Sequence, residues 1–322
     1  MNAAFLASAG WDRARQEQLA GDASARRYTR LRKGDTSAIL MQDPEGDVAH
    51  FARLSRHLTS LGLSAPRILA MDAAAGLLLI EDLGDGLLAR LASDPESEMR
   101  LYLCATDALL ALHRHPPPDL PKADPATLAA MTDLAFDHYA ETTAEDRKKR
   151  CIDALATALE RHARDTDVMI LRDYHAENIL YLPGRTGPAR AGLLDFQDAL
   201  QGHRAYDLVS LLQDARRDVL PETAEAAVRH YLEHTGLDQA RFRAALAVQG
   251  AQRNLRILGV FARLARQRGK PHYIDLIPRV WAHLQTDLRH PALADVASVL
   301  ADALPAPSSD HLERLRTPCP MP

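Results

Sequence analysis

Cysteine is scarce and badly placed for either of its usual structural roles. Cys104, Cys151 and Cys319 stand far apart, odd in number and without a C-x-x-C pair, which excludes a disulfide framework and a thiolate metal site and points to a reducing cytoplasm. Long apolar runs are missing too. Nothing approaches the roughly 18 uninterrupted apolar residues of a membrane span, and the opening MNAAFLASAGWDR lacks the basic n-region of a secretory signal. A soluble, intracellular protein with no membrane partner is expected. Neither sign of charge is in large excess, the net charge being -4 at pH 7, so the basic footprint of a nucleic-acid binder is absent and no nucleic-acid partner is expected. No solenoid repeat or low-complexity block interrupts the 322 residues, a length that at roughly 150 residues per domain suggests two lobes.

What is present changes character near residue 83. Before it, RRYTRLRKGDTSAILM reads as two strands, residues 26–32 and 37–41, joined at Lys33-Gly34-Asp35. Val48, Phe51, Leu54, Leu58 and Leu61 then recur at spacings of three and four, the single apolar face of a helix closed at Gly62. Two further strands, residues 68–71 and 77–80, follow across an Ala/Gly turn. The order strand, strand, helix, strand, strand predicts a small antiparallel sheet carrying one helix. EDLGDG, residues 81–86, reads as a hinge, and beyond it helices are predicted over residues 98–112, 125–142, 144–164, 207–217, 222–233, 239–268 and 275–288. Asp124 and Pro125 supply a cap and a first helical position for the second of these. His115-Pro116-Pro117-Pro118 forms a stiff linker, and PAPSS and CPMP mark a tail with the composition of a disordered segment. The expected organisation is α+β, with lobes over residues 1–83 and 84–304 and a tail over 305–322.

One loop carries more polar chemistry than its setting explains. LRDYHAENILYL, from Leu171, sets Arg172, Asp173, His175, Glu177 and Asn178 between the apolar runs MIL and ILYL, which are short enough to be buried strands. Buried polar groups cost free energy unless partnered. Asp173 is followed five positions later by Asn178, and a second aspartate, Asp195, lies at the end of the apolar run AGLLDF. This spacing suits phosphoryl transfer from ATP: Asp173 orients the attacking hydroxyl and accepts its proton, while Asn178 and Asp195 supply hard oxygen ligands for Mg²⁺ across the phosphates. The same residue types also satisfy backbone donors in loops without catalysis. His175 reads as an orienting residue, Glu177 as solvated, and Asp207, opening YDLVSLL, as a helix N-cap. His175-Ala176-Glu177 also matches the H-x-E of a metal hydrolase, but the P-C-x-x-C ligands that accompany it are missing.

LRDYHAEN followed by LLDFQD resembles the catalytic and metal motifs of the aminoglycoside phosphotransferase-like kinases. Against the protein-kinase pair H-R-D and D-F-G, Leu171 replaces the first histidine and Gln197 the glycine, while Asp198 completes the D-F-x-D of the small-molecule branch. The resemblance implies a two-lobed protein-kinase-like fold, with a nucleotide-binding sheet lobe bearing one helix and a mainly helical lobe for catalysis and substrate. It also implies ATP and Mg²⁺ as cofactors, and gives Asp207 a role in bracing the catalytic loop. MQDP, F-x-x-L with GLSAPRIL, GLLLIEDLG and RNLRILGVFARLARQRGKPHY are similar to a narrower group: bacterial cell-wall kinases that phosphorylate the anomeric hydroxyl of N-acetylmuramate and N-acetylglucosamine, in peptidoglycan recycling. In that group GLLLIEDLG, through Glu81 and Leu83, supplies the strand and hinge whose backbone bonds adenine.

The resemblance has a gap. Kinase-like folds carry a third-strand lysine paired with a helix glutamate, whereas here the strand reads SAILMQDP and the helix offers Arg53 and Arg56. Phosphate charge must be met elsewhere, or the protein is a nucleotide-binding module without turnover. The expected substitute is GDASARRY, where small residues let backbone N–H groups approach an anion and Ser24, Arg26 and Arg27 add contacts. Arg26 and Arg27 alternate along a strand, so one of them faces solvent. For the acceptor, Arg253, Arg256 and Arg263 share a helix face. Arg253 and Arg256 suit a fork on a sugar carboxylate, although the same stripe fits a solvated, salt-bridged face. His175, Asp137 and His138 are further pocket candidates. An aminoglycoside, a choline-like compound or another small alcohol is the alternative acceptor; the cationic ones would favour an acidic pocket over an arginine-rich helix.

Overall fold

The computed structural model describes residues 2–19, 26–140 and 143–317. The chain begins α1 (Asn2–Ser8), β1 (Arg15–Gln18), β2 (Arg27–Lys33), β3 (Thr36–Gln42), α2 (Val48–Ser60), β4 (Ile68–Asp72), β5 (Leu77–Glu81), α3 (Leu88–Leu91) and α4 (Pro95–Leu112). It continues through α5 (Pro125–Ala130), a π-helical turn (Ala135–Tyr139), α6 (Glu145–His162), β6 (Val168–Ile170), β7 (Ile179–Tyr181), β8 (Ala191–Leu193) and β9 (Leu200–Gly202). Last come α7 (Ala205–Leu212), α8 (Pro221–Thr235), α9 (Gln239–Arg268), α10 (Ile277–Asp287), α11 (Ala294–Leu300) and α12 (Ser309–Arg316). Contacts group these into two units, Met1–His115 with Ala176–Asp198, and Pro116–His175 with Ala199–Pro322.

In the first unit five antiparallel strands lie in the order β1-β2-β3-β5-β4. Gly34, at φ 58°, makes the turn that sets β2 against β3 from Lys33↔Thr36 onward. Leu31, Ala38, Leu40, Leu77 and Leu79 form one face of the sheet and pack with Phe5 and Leu6 of α1. Asp47 caps α2 by accepting from the His50 N–H, and Val48, Phe51, Leu54 and Leu58 turn inward from it. The predicted order of strands and helix is therefore present. α1 and β1 are additions: β1 is RQEQ, exposed throughout, and a charged edge strand has no apolar alternation to betray it. EDLGDG is a tethered turn, because the buried Arg30 donates to Asp82 at 3.0 Å and to both carboxylate oxygens of Asp85 at 2.8 and 2.9 Å. β7 and β8 form a hairpin in this unit, and β8 stops at Leu193, well short of Phe196.

In the second unit α9 is the central element, packed by α6, α7, α10 and the π turn. Every residue from 247 to 255 is buried, as in a helix enclosed on all sides. The helix predicted over residues 125–142 breaks: α5 ends at Ala130, the Thr132 hydroxyl bonds the Ala129 carbonyl at 2.6 Å, and Ala140 N–H closes the π turn on the Ala135 carbonyl at 2.8 Å. A back-bonding threonine competes with the helical ladder. Across from the break is Gly259, where a Cβ would stand 2.2 Å from the Leu134 carbonyl carbon, so backbone meets backbone only because the residue is glycine. α7 ends at Leu212, five residues before the predicted stop at residue 217. The tail is ordered as far as residue 317: Ser308 caps α12, His311 and Leu315 are buried, and Arg316 pairs with Asp275 at 2.6 Å. CPMP lies outside the described residues. No helix among the described residues is long and apolar enough to cross a membrane.

Candidate active site

In the first unit the β7–β8 hairpin sets the geometry. Ile179 pairs with Leu193, and the Leu194 N–H bonds the Asn178 carbonyl at 3.0 Å, so the residues just outside the ladder converge. Asn178 Nδ2 and Asp195 Oδ2 stand 3.5 Å apart. Gln197 Nε2 donates to Asp195 Oδ1 at 2.8 Å, buried Phe196 lies against Phe51 of α2 with ring centroids 4.8 Å apart, and His50 Nε2 is 3.0 Å from the Gln197 carbonyl oxygen. The D-F-Q triplet is thus anchored at every residue.

Arg26 brings to this triplet the cation that β3 lacks. Its Nε donates to Asp43 Oδ2 at 2.7 Å and its Nη1 lies 3.7 Å from Asp195 Oδ1. Burial works against its charge, but the Asp43 bond and the surrounding negative groups outweigh that and raise its pKa. Arg27 is exposed and sits opposite Gln42; Ser24 lies outside the described residues. Glu81 ends β5, its carboxylate held by Arg185 at 2.7 Å and by Arg67 at 3.1 Å. Leu83 is half-buried over Gly192, its Cδ1 3.3 Å from where a Cβ would be. Sequence reasoning missed Asp43: a lone acid at a strand end has no spacing to recognise. For Mg²⁺, Asn178 and Asp195 offer a carboxamide and a carboxylate side by side, a donor set that fits an ion which completes its shell with water and phosphate oxygens. Among the described residues no cluster of three or more His, Cys, Asp or Glu side chains forms a metal cage.

In the second unit β6 pairs with β9 and delivers the loop that carries Asp173. Arg172 and Asp195, at φ 72° and 56°, are the only non-glycine residues of positive φ among those described. Such conformations cost about 1–3 kcal/mol and persist where the surroundings impose them. At Arg172 those surroundings are visible. Asp207 accepts from the N–H groups of Leu171 at 2.6 Å and Arg172 at 2.8 Å, Ser210 Oγ donates to the Arg172 carbonyl at 3.2 Å, and Arg253 Nη2 donates to Ser210 Oγ at 2.7 Å. Asp207 lies in the first turn of α7, with Arg204 in the cap position, so it braces the loop and is not an N-cap. Burial pushes its pKa up to about 7 against the pull of the two N–H bonds.

His175 is buried, with Nε2 3.4 Å from Arg216 Nη1; burial, then the charges of Arg216 and Arg253, hold its pKa well below the usual value. Asp137 and His138 belong to the π turn, where Asp137 is paired with Lys148 of α6 at 2.6 Å. The first unit therefore brings together Arg26, Asn178 and Asp195, and the second gathers Asp173, Asp207, Ser210 and Arg253.

The model of the phosphotransferase enzyme family matches residues 15–244. The chain is 40% identical to an N-acetylmuramate/N-acetylglucosamine kinase of Caulobacter vibrioides, over 91% of this chain and 93% of that protein. It is 32% identical to a protein of the same description from Pseudomonas aeruginosa, over 91% and 90% of the two chains. The crystal structure of a choline/ethanolamine kinase family protein from Mesorhizobium loti matches with a TM-score of 0.64 at 19% identity, covering 98% of both chains, a likeness of fold.

Proposed function

The chain belongs to the phosphotransferase enzyme family, and from that premise we propose that it is an ATP- and Mg²⁺-dependent amino-sugar kinase acting on the anomeric hydroxyl of N-acetylmuramate and N-acetylglucosamine. Asp173 takes the proton of the C1 hydroxyl as that oxygen bonds to the terminal phosphorus and the bond from phosphorus to the ADP oxygen breaks. Asn178 and Asp195 hold Mg²⁺, whose charge, when bound, neutralises the phosphates. Arg26, with Ser24 and Arg27 of the same stretch, meets phosphate charge, and the backbone from Glu81 to Leu83 bonds adenine. Asp207 and Ser210 hold the loop on which Asp173 acts. The product, an anomeric sugar phosphate made in the cytoplasm, suits nucleotide-sugar synthesis and so peptidoglycan recycling.

One observation carries the chemistry: the two strained non-glycine residues lie immediately before the proposed base and at the proposed metal ligand. The choice of sugar is supported by 40% identity to a relative of that description.

The test is ATP consumption screened against amino sugars, aminoglycosides, choline and simple alcohols, with ³¹P NMR to locate the new phosphate. Phosphate at C1 of both sugars is expected. Turnover confined to aminoglycosides or choline would replace the acceptor, and phosphate at C6 would overturn the anomeric assignment. Asp173→Asn should lose about 10²- to 10⁴-fold in kcat, the usual contribution of a general base, with ATP affinity nearly unchanged. A non-catalytic nucleotide-binding module would show no turnover in either form.

A further inference from the structure

The arginines on α9 share a face in sequence but differ in what they do. Arg253 is 6% exposed and is committed to the loop, since its donation to Ser210 Oγ supports the bond from Ser210 to the Arg172 carbonyl. Arg256, one helical turn further, lies in the electrostatic neighbourhood of Asp173, Arg172 and Tyr206. It makes no hydrogen bond and no ion pair with any described residue. Burial depresses its pKa in the first place, with the like charges of Arg172 and Arg253 acting in the same direction. The half-buried guanidinium keeps its nitrogens open to solvent, so its five donors are free to receive an arriving anion.

Two anions belong to the reaction proposed above: the nucleotide phosphates and the carboxylate of an acidic sugar. The phosphates have their own cation in Arg26, beside Asp195 in the first unit. Arg256 instead neighbours Asp173, the group that addresses the acceptor hydroxyl, and so belongs to the acceptor's side. N-acetylmuramate differs from N-acetylglucosamine by a lactyl ether on O3 ending in a carboxylate, whose two oxygens match a guanidinium fork. We propose that Arg256 is the specificity-determining residue that binds this carboxylate, an assignment that rests on the sugar-kinase reading and deepens it. Arg253, spent on Ser210, is then a positioning residue that serves both sugars alike.

The experiment compares kcat/KM for the two sugars in wild type, Arg256→Gln and Arg256→Lys, with N-acetylmuramate methyl ester as a third substrate. For Arg256→Gln the value on N-acetylmuramate should fall about 10- to 100-fold, the range for a lost charge-assisted hydrogen bond, mostly through KM. On N-acetylglucosamine it should fall less than about fivefold, and Arg256→Lys should recover part of the loss. The methyl ester needs no variant to fold: on wild type it should lose about what Arg256→Gln loses, and Arg256→Gln should add little on the ester. Equal losses on both sugars would assign Arg256 to phosphoryl transfer and overturn the proposal, as would an ester as good as the acid. A wild-type protein that phosphorylates aminoglycosides or choline but neither sugar would overturn the function and this assignment together.

Discussion

A guanidinium can stand in for the missing β3 lysine only if something fixes it, and Asp43 does so by accepting from Arg26 Nε while Nη1 reaches toward Asp195. Arg26→Ala should therefore raise KM for ATP about tenfold or more, with kcat changing less, and Arg26→Lys should restore only part, since a lysine cannot bond Asp43 and face Asp195 in the same way. Unchanged ATP kinetics would remove Arg26 from the nucleotide site. Asp287 makes a prediction of another kind. It is buried, accepting from Gln213 Nε2 at 2.8 Å and Asn254 Nδ2 at 3.0 Å, and burial raises its pKa from 3.8 to about 7 against those bonds. On unfolding this carboxyl ionises near 3.8 and in the fold near 7, so the unfolded chain gives up the proton first as pH rises. The stability it contributes is complete below the unfolded value and is lost as pH climbs through the folded one. The urea midpoint should fall from about pH 5 to about pH 8 in wild type and fall less in Asp287→Asn; equal falls would show that Asp287 has no part in it. At this scale Asp173, Asn178 and Asp195 stood out as candidates because their spacing is itself chemical information, and the fold brings the side chains of Asn178 and Asp195 to 3.5 Å. Asp43 and Ser210 were not, because each becomes meaningful only through a partner 17 or 38 residues away.

Elements were legible where one face is apolar and the period regular, as in α2 and α6, and illegible where tertiary contact overrides local preference. The residues from 125 to 142 contain enough helix formers to predict one helix, but nothing local to them records that Gly259 admits the Leu134 backbone. The three-residue strands β6 to β9 are too short for a period; β6, β7 and β8 were placed only by the polar residues beside them, and β9, without such a marker, was not predicted. The π turn supplies the test at this scale. In Gly259→Ala a Cβ would meet backbone at 2.2 Å, which cannot yield as a flexible side chain can. Overpacking of this kind costs about 1–3 kcal/mol and outweighs the gain of up to about 1 kcal/mol from replacing a helical glycine. Thermal unfolding should begin several degrees lower than in wild type, at about 2–4 °C for each kcal/mol lost, with no change in the CD signature of the sheet. An unchanged or higher Tm would mean that the π turn can move off α9 at no cost.

The chain passes between its two units at 115/116, 175/176 and 198/199. Periodicity reports on neighbours within about ten residues, so it could register a change of character after the sheet but not that the hairpin of residues 176–198 folds with that sheet. The hairpin is bound to it throughout. Leu193 N–H bonds the Ser64 carbonyl at 2.8 Å, Tyr181 N–H bonds Gly86 at 2.7 Å, Ala89 N–H bonds Ala176 at 3.0 Å, and Arg185 reaches Glu81 at 2.7 Å. Without it the backbone groups of Ser64, Gly86 and Ala89 lose partners, bonds worth about 0.5–1.5 kcal/mol each, and Phe51 loses the ring of Phe196; together with the apolar surface laid bare, that is a large share of the marginal stability of a domain. Residues 1–115 expressed alone should therefore show poorly dispersed amide resonances and no cooperative melt, although they contain the entire sheet and α2. Adding residues 176–198 as a separate peptide should restore dispersion to the Ala89 amide first, since its N–H bonds the Ala176 carbonyl. A cooperative transition in the fragment alone would show instead that the sheet is self-sufficient and that the hairpin, with Asn178 and Asp195, docks onto a unit already folded.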